Sequence, residues 1–218
     1  MSIYDKNKQF TLDQETYIKK LDFLNWYRFF FLTKELVKRK PRNVLEIGEG
    51  SGFVRRVLGD SIPAYETMDV NEKLTPTYQN DVRILKEDLK NKFDVVIAAD
   101  ILEHLPFGDV EKALKNLHEY LENGGVALIT IPHRAWFVFW LTWLRGYRMH
   151  LWRFPDWVRT LYQRFRGRST NPIDPDHSWE IGDSKHSVSD VERAIKAAGF
   201  TIESRIALLY VDFWVLRK

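Results

Sequence analysis

The amino-acid sequence predicts an α/β protein with a mostly parallel β-sheet. From residue 43 onward, strand-like and helix-like segments alternate, which is typical of parallel strands joined by crossover helices. The first of these strands runs directly into a glycine-rich turn in the sequence VLEIGEGSG, residues 44–52. Glycine is needed where a chain turns sharply between strand and helix and where a ligand approaches main-chain N–H groups. The two observations together predict a nucleotide-type cofactor site after the first strand.

The alternating segments are short apolar runs separated by polar or turn-forming residues. We predict strands at residues 43–47, 64–69, 82–86, 93–98, 126–131, 201–207 and 211–216. We predict helices at residues 53–58, 110–122 and 189–198, with Ser187 and Ser189 as capping residues of the last helix and Gly199 at its end. The final two strands follow each other closely and are expected to pair antiparallel. The links between the second, third and fourth strands are too short for full helices. We therefore expect little helical cover over that side of the sheet.

Residues 17–40 precede the first strand and are compatible with a helix. This stretch is rich in aromatic residues, namely Trp26, Tyr27, Phe29, Phe30 and Phe31. Two roles fit it: a lid on the substrate side of the protein, or simple packing across the sheet. The sequence does not separate these two roles.

Length and composition agree with one soluble domain that has a full core. The chain has 218 residues, of which 44% are hydrophobic. It contains no cysteine, which excludes disulfides, thiol nucleophiles and Cys-ligated metals. The first twenty residues are polar, unlike a signal peptide, and the longest apolar stretch, residues 135–144, is far shorter than the ~20 residues that span a bilayer. We therefore expect a cytoplasmic protein.

The spacing of the glycines separates two cofactor classes. A dinucleotide fingerprint, G-x-G-x-x-G, would require glycine at position 53, where the chain has Phe53. The third glycine is instead Gly52, which gives the pattern E-x-G-x-G-x-G beginning at Glu46. This pattern resembles motif I of the class I S-adenosylmethionine (SAM)-dependent methyltransferases. The resemblance, which includes the ubiquinone-pathway O-methyltransferases, extends from about Arg42 to the C-terminus.

The resemblance implies a Rossmann-like sheet of seven strands, mostly parallel, with one antiparallel edge strand. It also implies a single methyltransferase domain over residues 1–218. Within it we expect four parts: an N-terminal helical lid (1–41), a SAM-binding core (42–132), an Arg/Trp-rich helical insertion or cap (133–180), and a C-terminal helix with a strand pair (181–218).

The same resemblance implies contacts between SAM and the turn after the first strand. Glu46 would bind the amino group of the methionine part of SAM, because a carboxylate suits a cation. The N–H groups of Gly48, Gly50 and Gly52 would face the carboxylate of the cofactor. Glu49 lies inside this turn and would repel that carboxylate unless it points to solvent.

Three further acids follow later strands. Asp69 ends the second strand, and its two oxygens, beside Val70, would hold the ribose hydroxyls; the alternative is a solvated acid at the start of a loop. Asp88 would bind the adenine amine, with the Leu89 N–H on the ring, although an acid in a loop is commonly only a turn residue. Asp100 ends the fourth strand, where the resemblance places the meeting point of cofactor and acceptor.

The chemistry of methyl transfer points to the segment that follows the fourth strand. A sulfonium donor needs little beyond positioning, whereas an oxygen acceptor also needs deprotonation. His104 is the candidate general base because a histidine titrates near neutral pH, and Asp100 is the second catalytic candidate. The alternative is that His104 has only a structural role at the start of its loop.

A divalent metal is an alternative way to activate a hydroxyl. In ubiquinone-pathway O-methyltransferases and in enzymes that methylate 3′-terminal RNA riboses, E-x-x-E-H and a later histidine can hold such an ion. Asp100, Glu103 and His104 match this pattern here, and His177 or His186 could supply the later imidazole. Such ligands suit Mg or Mn. Because Asp100 is shorter than the Glu of the pattern, the sequence does not favour the metal.

Residues 134–168 form the least standard segment. They include eight Arg, no Lys, one acid (Asp156) and eleven aromatic residues. Three interpretations remain open: a membrane-surface helix with Trp136, Trp140 and Trp143 on one face, a nucleic-acid surface, or a helical cap over the active site. Arg without Lys favours bidentate recognition of phosphate or carboxylate, so a lipid-linked or phosphorylated acceptor would suit this segment.

These patterns together favour a SAM-dependent methyltransferase. We expect O-methylation of a small or lipid-associated acceptor, with peripheral membrane contact through residues 134–168. The alternatives are a metal-dependent RNA methyltransferase and a non-catalytic SAM-binding module. Nucleic acid is not favoured as a partner, because the net charge of only +3 is concentrated in one patch. An NAD-type oxidoreductase is disfavoured by Phe53.

Overall fold

A computed structural model of the chain describes residues 12–19, 21, 23–135, 137–142, 148–154, 158, 161–162, 165 and 174–218. The helices are α1 (Gln14–Lys19), α2 (Phe23–Arg39), α3 (Phe53–Leu58), α4 (Phe107–Tyr120) and α5 (Val188–Ala197). The strands are β1 (Asn43–Ile47), β2 (Ala64–Asp69), β3 (Tyr78–Gln79), β4 (Phe93–Ala99), β5 (Leu121–Pro132), β6 (Phe137–Thr142), β7 (Arg148–Arg153), β8 (Thr201–Ala207) and β9 (Val211–Arg217).

Seven strands form one sheet in the order β3-β2-β1-β4-β5-β9-β8. The pairs from β3 to β5 are parallel, whereas β9 runs antiparallel to both β5 and β8. The predicted seven-stranded, mostly parallel sheet is therefore confirmed. The reversed strand β9 lies one place inside the edge strand β8.

The central strands β4 and β9 are buried on both faces, because they are apolar at nearly every position, whereas the edge strand β8 is mostly exposed. In β4, Val95 and Ile97 belong to the core layer beneath α2 and α3, and Val96 and Ala98 belong to the layer beneath α4 and α5. Successive side chains of a strand point to opposite faces, so a continuous apolar run fits a strand that helices cover on both sides.

The predicted helix over residues 17–40 is two helices, α1 and α2. On α2, Leu32 and Leu36 are buried in the core layer that also contains α3. One turn earlier, Asn25 and Arg28 border a cavity at the edge of the sheet. The helix therefore packs across the sheet and also borders the cavity, and its role as a lid stays a prediction.

The other predicted helices lie close to their observed bounds. At the start of α5, the Ser187 hydroxyl accepts the Asp190 N–H at 3.3 Å and the Asp190 carboxylate accepts the Ser187 N–H at 2.9 Å. Gly199 follows the helix with φ of 97°, a left-handed conformation that glycine adopts without strain. The capping signals in the sequence were sufficient to place this helix.

The predicted strand at residues 82–86 is wrong, because β3 occupies Tyr78–Gln79 instead. Residues 81–84 form a turn in which the Asp81 carboxylate accepts the Arg83 N–H at 2.8 Å and the Ile84 N–H donates to the Asp81 carbonyl at 2.8 Å. The Asn80 amide also donates to the Ile84 carbonyl at 2.7 Å. These local side-chain bonds outcompete the strand pattern of the alternating apolar residues.

The insertion is not helical where the prediction placed the tryptophan face. Strands β6 and β7 pair antiparallel, with Trp140 opposite His150. The segment FVFWLT is rich in aromatic and β-branched residues, which favour a strand. Trp136 and Trp143 lie outside the described residues. Within the residues that the structure describes, no helix is both long and apolar enough to cross a bilayer.

Candidate active site

A cavity of about 410 Å³ lies at the carboxyl ends of β1, β2 and β4. Its lining residues are Tyr17, Leu21, Asn25, Arg28, Phe29, Glu46, Gly48, Glu49, Gly50, Ser51, Asp69, Ala99, Asp100, Ile101, His104, Asp174, Asp176 and His177. A smaller cavity of about 50 Å³ adjoins it and shares Gly48, Asp69, Ile101 and His104. Ligands of open α/β sheets bind at this edge, so the two cavities are the candidate active site.

The glycine turn opens the larger cavity towards the backbone. Gly48, Gly50 and Gly52 all have left-handed φ values, 71°, 48° and 61°. A Cβ atom on Gly48 would lie 1.9 Å from Cδ1 of Ile101, so the Ile101 side chain would have to move, and the left-handed φ would strain any residue with a side chain. Gly48 and Gly50 line the cavity, whereas Gly52 donates its N–H to the Glu49 carbonyl at 2.8 Å.

The side chain of Glu46, near the carboxyl end of β1, lines the larger cavity. Its carboxylate accepts the Tyr65 hydroxyl at 2.7 Å, and the side chain is otherwise buried. Burial raises the pKa of Glu46 to about 8. A bound cation would favour the ionised form, so this carboxyl is suited to an ammonium group.

Glu49 does not point to solvent. Its side chain is 0% exposed and lines the cavity. Within the described part of the chain neither carboxyl oxygen has a hydrogen-bond partner, and the Arg55 guanidinium lies 3.8 Å away. Burial raises the pKa of Glu49.

Asp69 lies at the carboxyl end of β2 and lines both cavities. One carboxylate oxygen accepts the Asn71 N–H at 2.8 Å, which fixes the orientation of the side chain. Burial raises the pKa of Asp69 to about 6. Val70 follows it and lines the smaller cavity, so the structure brings these two predicted cofactor residues together.

Asp88 and Leu89 lie apart from both cavities. The Asp88 side chain is 64% exposed and pairs with Lys86 at 3.4 Å, while Leu89 is buried in the core. Because β3 ends at residue 79 rather than 86, the residues that follow its carboxyl end are different ones. Asn80 and Val82 line the smaller cavity at this point.

Asp100 is fixed by contacts from two elements. Its φ of 54° is left-handed, and its carboxylate accepts the Thr130 hydroxyl at 2.6 Å. The other oxygen forms an ion pair with the guanidinium of Arg28 on α2. Asp100 therefore serves to position the groups around it.

Arg28 is a site residue that the sequence interpretation missed. It is buried and lines the larger cavity. A usable signal existed, since Arg28 interrupts the aromatic run WYRFFF, and a charge on a helix face that packs against the sheet needs a partner. Tyr17 on α1 also lines the cavity, and no local pattern distinguished it.

His104 lines both cavities. Its Nδ1 lies 2.8 Å from the Asp176 carbonyl oxygen, which can only accept, so Nδ1 carries the proton and Nε2 is the basic nitrogen. Burial lowers the pKa of His104, which keeps the ring neutral. A neutral imidazole with a fixed tautomer can act as a general base.

Three of the four predicted metal candidates come together. Glu103, His104 and His177 offer ligand atoms that all lie within 4.8 Å of one another, whereas Asp100 is not in this group. The Glu103 side chain is fully buried and, within the described residues, neither of its carboxyl oxygens has a hydrogen-bond partner. Nδ1 of His177 lies 2.9 Å from the Glu180 carboxylate, an outer contact of the kind that orients metal-binding imidazoles. The donor set therefore fits a divalent cation with three protein ligands.

His186, the other candidate for a later histidine, lies elsewhere. Its Nδ1 is 2.8 Å from the Asp183 carboxylate, and its ring packs 4.4 Å from that of Phe107. It is not part of the group formed by the other two imidazoles.

Comparison with known proteins identifies the family. The sequence profile of a family described as a methyltransferase domain matches residues 22–205. No curated protein matches the chain.

Solved structures with the same fold include three methyltransferases. One is a S-adenosylmethionine-dependent methyltransferase from Clostridium acetobutylicum ATCC 824, with a TM-score of 0.58 at 12% identity over 91% of this chain and 93% of that one. Another is magnesium protoporphyrin IX methyltransferase from Synechocystis PCC 6803 with bound SAH, with a TM-score of 0.57 at 14% identity over 91% and 89%. The third is N-methyltransferase NodS from Bradyrhizobium japonicum WM9 in complex with SAH, with a TM-score of 0.57 at 13% identity over 91% and 89%.

At these identities the structural likeness establishes the fold, and the family match extends over most of the chain. The glycine turn and the acid at the end of β2 border one cavity, as a SAM site requires. The chain therefore belongs to the class I SAM-dependent methyltransferases.

Proposed function

We propose that this methyltransferase transfers the methyl group of SAM to a hydroxyl oxygen of a small acceptor, with His104 as the general base. The observation that carries the proposal is the position of His104. It borders both cavities, and the Asp176 carbonyl fixes the tautomer in which Nε2 is basic. An oxygen acceptor needs such a base, because a neutral hydroxyl is a weak nucleophile.

The charges around the cavity support one orientation of SAM. Glu46 receives the ammonium of the methionine part, and Arg28, which lines the same cavity, receives its carboxylate. Asp69 receives the ribose hydroxyls where the two cavities meet. The adenine ring then lies in the smaller cavity beside Asn80 and Val82, rather than beside Asp88.

The reaction in this arrangement is an in-line displacement. The acceptor hydroxyl gives its proton to Nε2 of His104 as its oxygen attacks the methyl carbon. The carbon–sulfur bond breaks, its electron pair stays on sulfur, and the products are the methyl ether and S-adenosylhomocysteine (SAH). Asp100 contributes by holding Arg28 and the end of β4 in place, because positioning supplies much of the rate of such reactions.

We further propose that the acceptor is lipid-associated or phosphorylated. The support is the insertion at residues 134–168, which has eight Arg and one acid. Among its described residues, Trp152 is 58% exposed and Phe165 is 84% exposed. Arginine with exposed aromatic side chains suits a surface that meets anionic headgroups or phosphate.

To test the proposal, the protein is incubated with cell extract and SAM that carries a tritiated methyl group. The extract is then separated into lipid, water-soluble small-molecule and RNA fractions, and the label in each fraction is measured. We expect label in the lipid or small-molecule fraction, as an alkali-stable ether. His104→Gln should lower the rate by about 10²–10⁴-fold without weakening SAM binding. The matched control is His118→Gln on α4, whose ring packs against Phe200. Equal rates for the two variants would contradict the base, and label in RNA alone would contradict the acceptor class.

A divalent metal is the second candidate for activating the hydroxyl. Glu103, His104 and His177 would hold it, and Mg or Mn there would lower the pKa of a bound acceptor hydroxyl. The engagement of Asp100 by Arg28 and Thr130 leaves three side-chain ligands and makes this alternative less favoured. A rise of the melting temperature with Mn²⁺ that disappears in Glu103→Gln would support the metal.

A further inference from the structure

The carboxyl group of Glu49 has no role in the reaction described above. It lies within the glycine turn, lines the larger cavity and is fully buried. Within the described part of the chain, neither of its oxygens has a hydrogen-bond partner. A buried polar group without a partner destabilises the empty site, so a ligand that supplies the missing partner gains affinity from the site.

Burial favours the neutral form of Glu49, while the charges around it act in both directions: Asp69 raises its pKa, and Arg55 and Arg56 lower it. The titratable or charged groups around it are Glu46 of β1, Tyr65 and Asp69 of β2, and Arg55 and Arg56 of α3, and Tyr17 of α1 and Arg28 of α2 line the same cavity. The Arg55 guanidinium, at 3.8 Å, is too far for a hydrogen bond, and the Arg56 guanidinium donates to the Gln14 side chain at 2.8 Å. An ionised Glu49 would therefore stand beside two other carboxyls without a bonded cation.

A neutral carboxylic acid carries one O–H donor and needs an acceptor. The methionine part of SAM presents a carboxylate at this end of the cavity if Glu46 holds its ammonium, as proposed above. An ionised Glu49 would repel that carboxylate, whereas a protonated Glu49 can donate to it. We propose that Glu49 binds SAM as a neutral carboxylic acid and donates its O–H to the carboxylate of the cofactor.

This contact makes cofactor binding depend on pH. Burial raises the pKa of Glu49, which favours the neutral acid. Above that pKa the empty protein has an ionised Glu49, and binding must take up one proton. The contribution of Glu49 to the affinity for SAM therefore falls as pH rises, by up to tenfold per pH unit above its pKa, and the comparison with a variant at this position separates it from the ionisation of Glu46.

The test compares wild type and Glu49→Gln by calorimetric titration with SAM and SAH. The measurements are made at about pH 6 and about pH 9, which bracket the range in which buried glutamic acids titrate. We expect wild type to lose about tenfold or more in affinity relative to Glu49→Gln at the higher pH, because the amide donor cannot ionise. Glu49→Ala, which lacks a donor, should bind more weakly than wild type at the lower pH. Glu72→Gln, in the exposed turn after β2, is the matched control and should follow wild type.

Decarboxylated SAM identifies the group that Glu49 contacts. It lacks the acceptor carboxylate, so the difference between wild type and Glu49→Gln should vanish with it. A difference that persists would overturn the proposed contact. Weaker binding of SAM by Glu49→Gln by the same factor at both pH values would also overturn it, because Glu49 would then act as an anion. Failure of wild type to bind SAM or SAH at either pH would instead contradict the proposed placement of the cofactor.

Discussion

The guanidinium of Arg28, on α2, forms an ion pair with the carboxylate of Asp100 at the carboxyl end of β4. Both side chains line the larger cavity. Because α2 precedes the sheet in the sequence, this pair ties the N-terminal helical segment to the centre of the cofactor site. It also places a buried positive charge where the carboxylate of SAM is expected.

Replacement of Arg28 by glutamine should weaken SAM and SAH binding by about 10–100-fold. The variant removes a charge-assisted hydrogen bond to the cofactor carboxylate, which contributes about 1.5–3 kcal/mol. Isothermal titration calorimetry measures the change. Lys38→Gln, on the exposed side of the same helix, is the matched control and should bind like wild type. If decarboxylated SAM lost the same factor, Arg28 would act through Asp100 and not on the cofactor.

Asp69→Ala should weaken SAM binding at least tenfold, whereas Asp88→Ala should change it by less than about twofold. Asp69 is buried and lines both cavities, and its two oxygens are suited to a vicinal diol. Asp88 is exposed and lines neither. Parallel titrations with SAH test both statements. A larger loss of affinity for Asp88→Ala than for Asp69→Ala would mean that Asp88 contacts the adenine.

Local patterns were sufficient to predict the glycine turn and the strands that flank it. Gly48 has a left-handed φ, and a side chain there would overlap Ile101, so this backbone conformation favours glycine at one position of the sequence. The sequence also predicted Asp69 as the last residue of the second strand, and β2 ends there. Residues whose role depends on one nearby backbone conformation can be found without a structure.

Residues whose role depends on contacts distant in sequence could not be placed in the same way. The Arg28 contact with Asp100 joins α2 to β4, and no spacing in the sequence encodes it. The third strand was misplaced because Val82 and Ile84 alternate like a strand, although Asp81 closes a turn around them. The tryptophan spacing in the insertion suited a helix, while the local β-propensity prevailed.

The free energy of unfolding of the protein without cofactor should fall as pH rises from about 4.5 to about 8. Burial raises the pKa of Glu46 to about 8 in the folded protein, from 4.5 in the unfolded chain. Between these values the folded state retains a proton that the unfolded state has released, so stability decreases with pH. Melting temperatures between about pH 5 and about pH 8.5 measure the effect, at ~1.4 kcal/mol per pKa unit.

Glu46→Gln should make this decline shallower, because the amide cannot ionise yet still accepts the Tyr65 hydroxyl. The variant should melt at least about 2–4 °C above wild type at the high end of the range. Glu111→Gln, on the exposed face of α4, is the control and should retain the slope of wild type. Parallel slopes for Glu46→Gln and wild type would mean that Glu46 is ionised in the folded protein.

The exposed aromatic residues of the insertion should bind the protein to anionic membranes. Trp152 and Phe165 project from a segment with a large excess of arginine, and such side chains insert at headgroup depth while arginine meets phosphate. The double variant Trp152→Ser, Phe165→Ser should reduce co-sedimentation with vesicles of phosphatidylcholine and phosphatidylglycerol about tenfold or more, since each buried aromatic side chain contributes about 1.5–3 kcal/mol. Trp26→Ser removes a tryptophan that is 51% exposed on α2, outside the insertion, and should sediment like wild type. Sedimentation that is equal for all three proteins, or that does not weaken with added salt, would assign the exposed aromatics a role other than membrane contact.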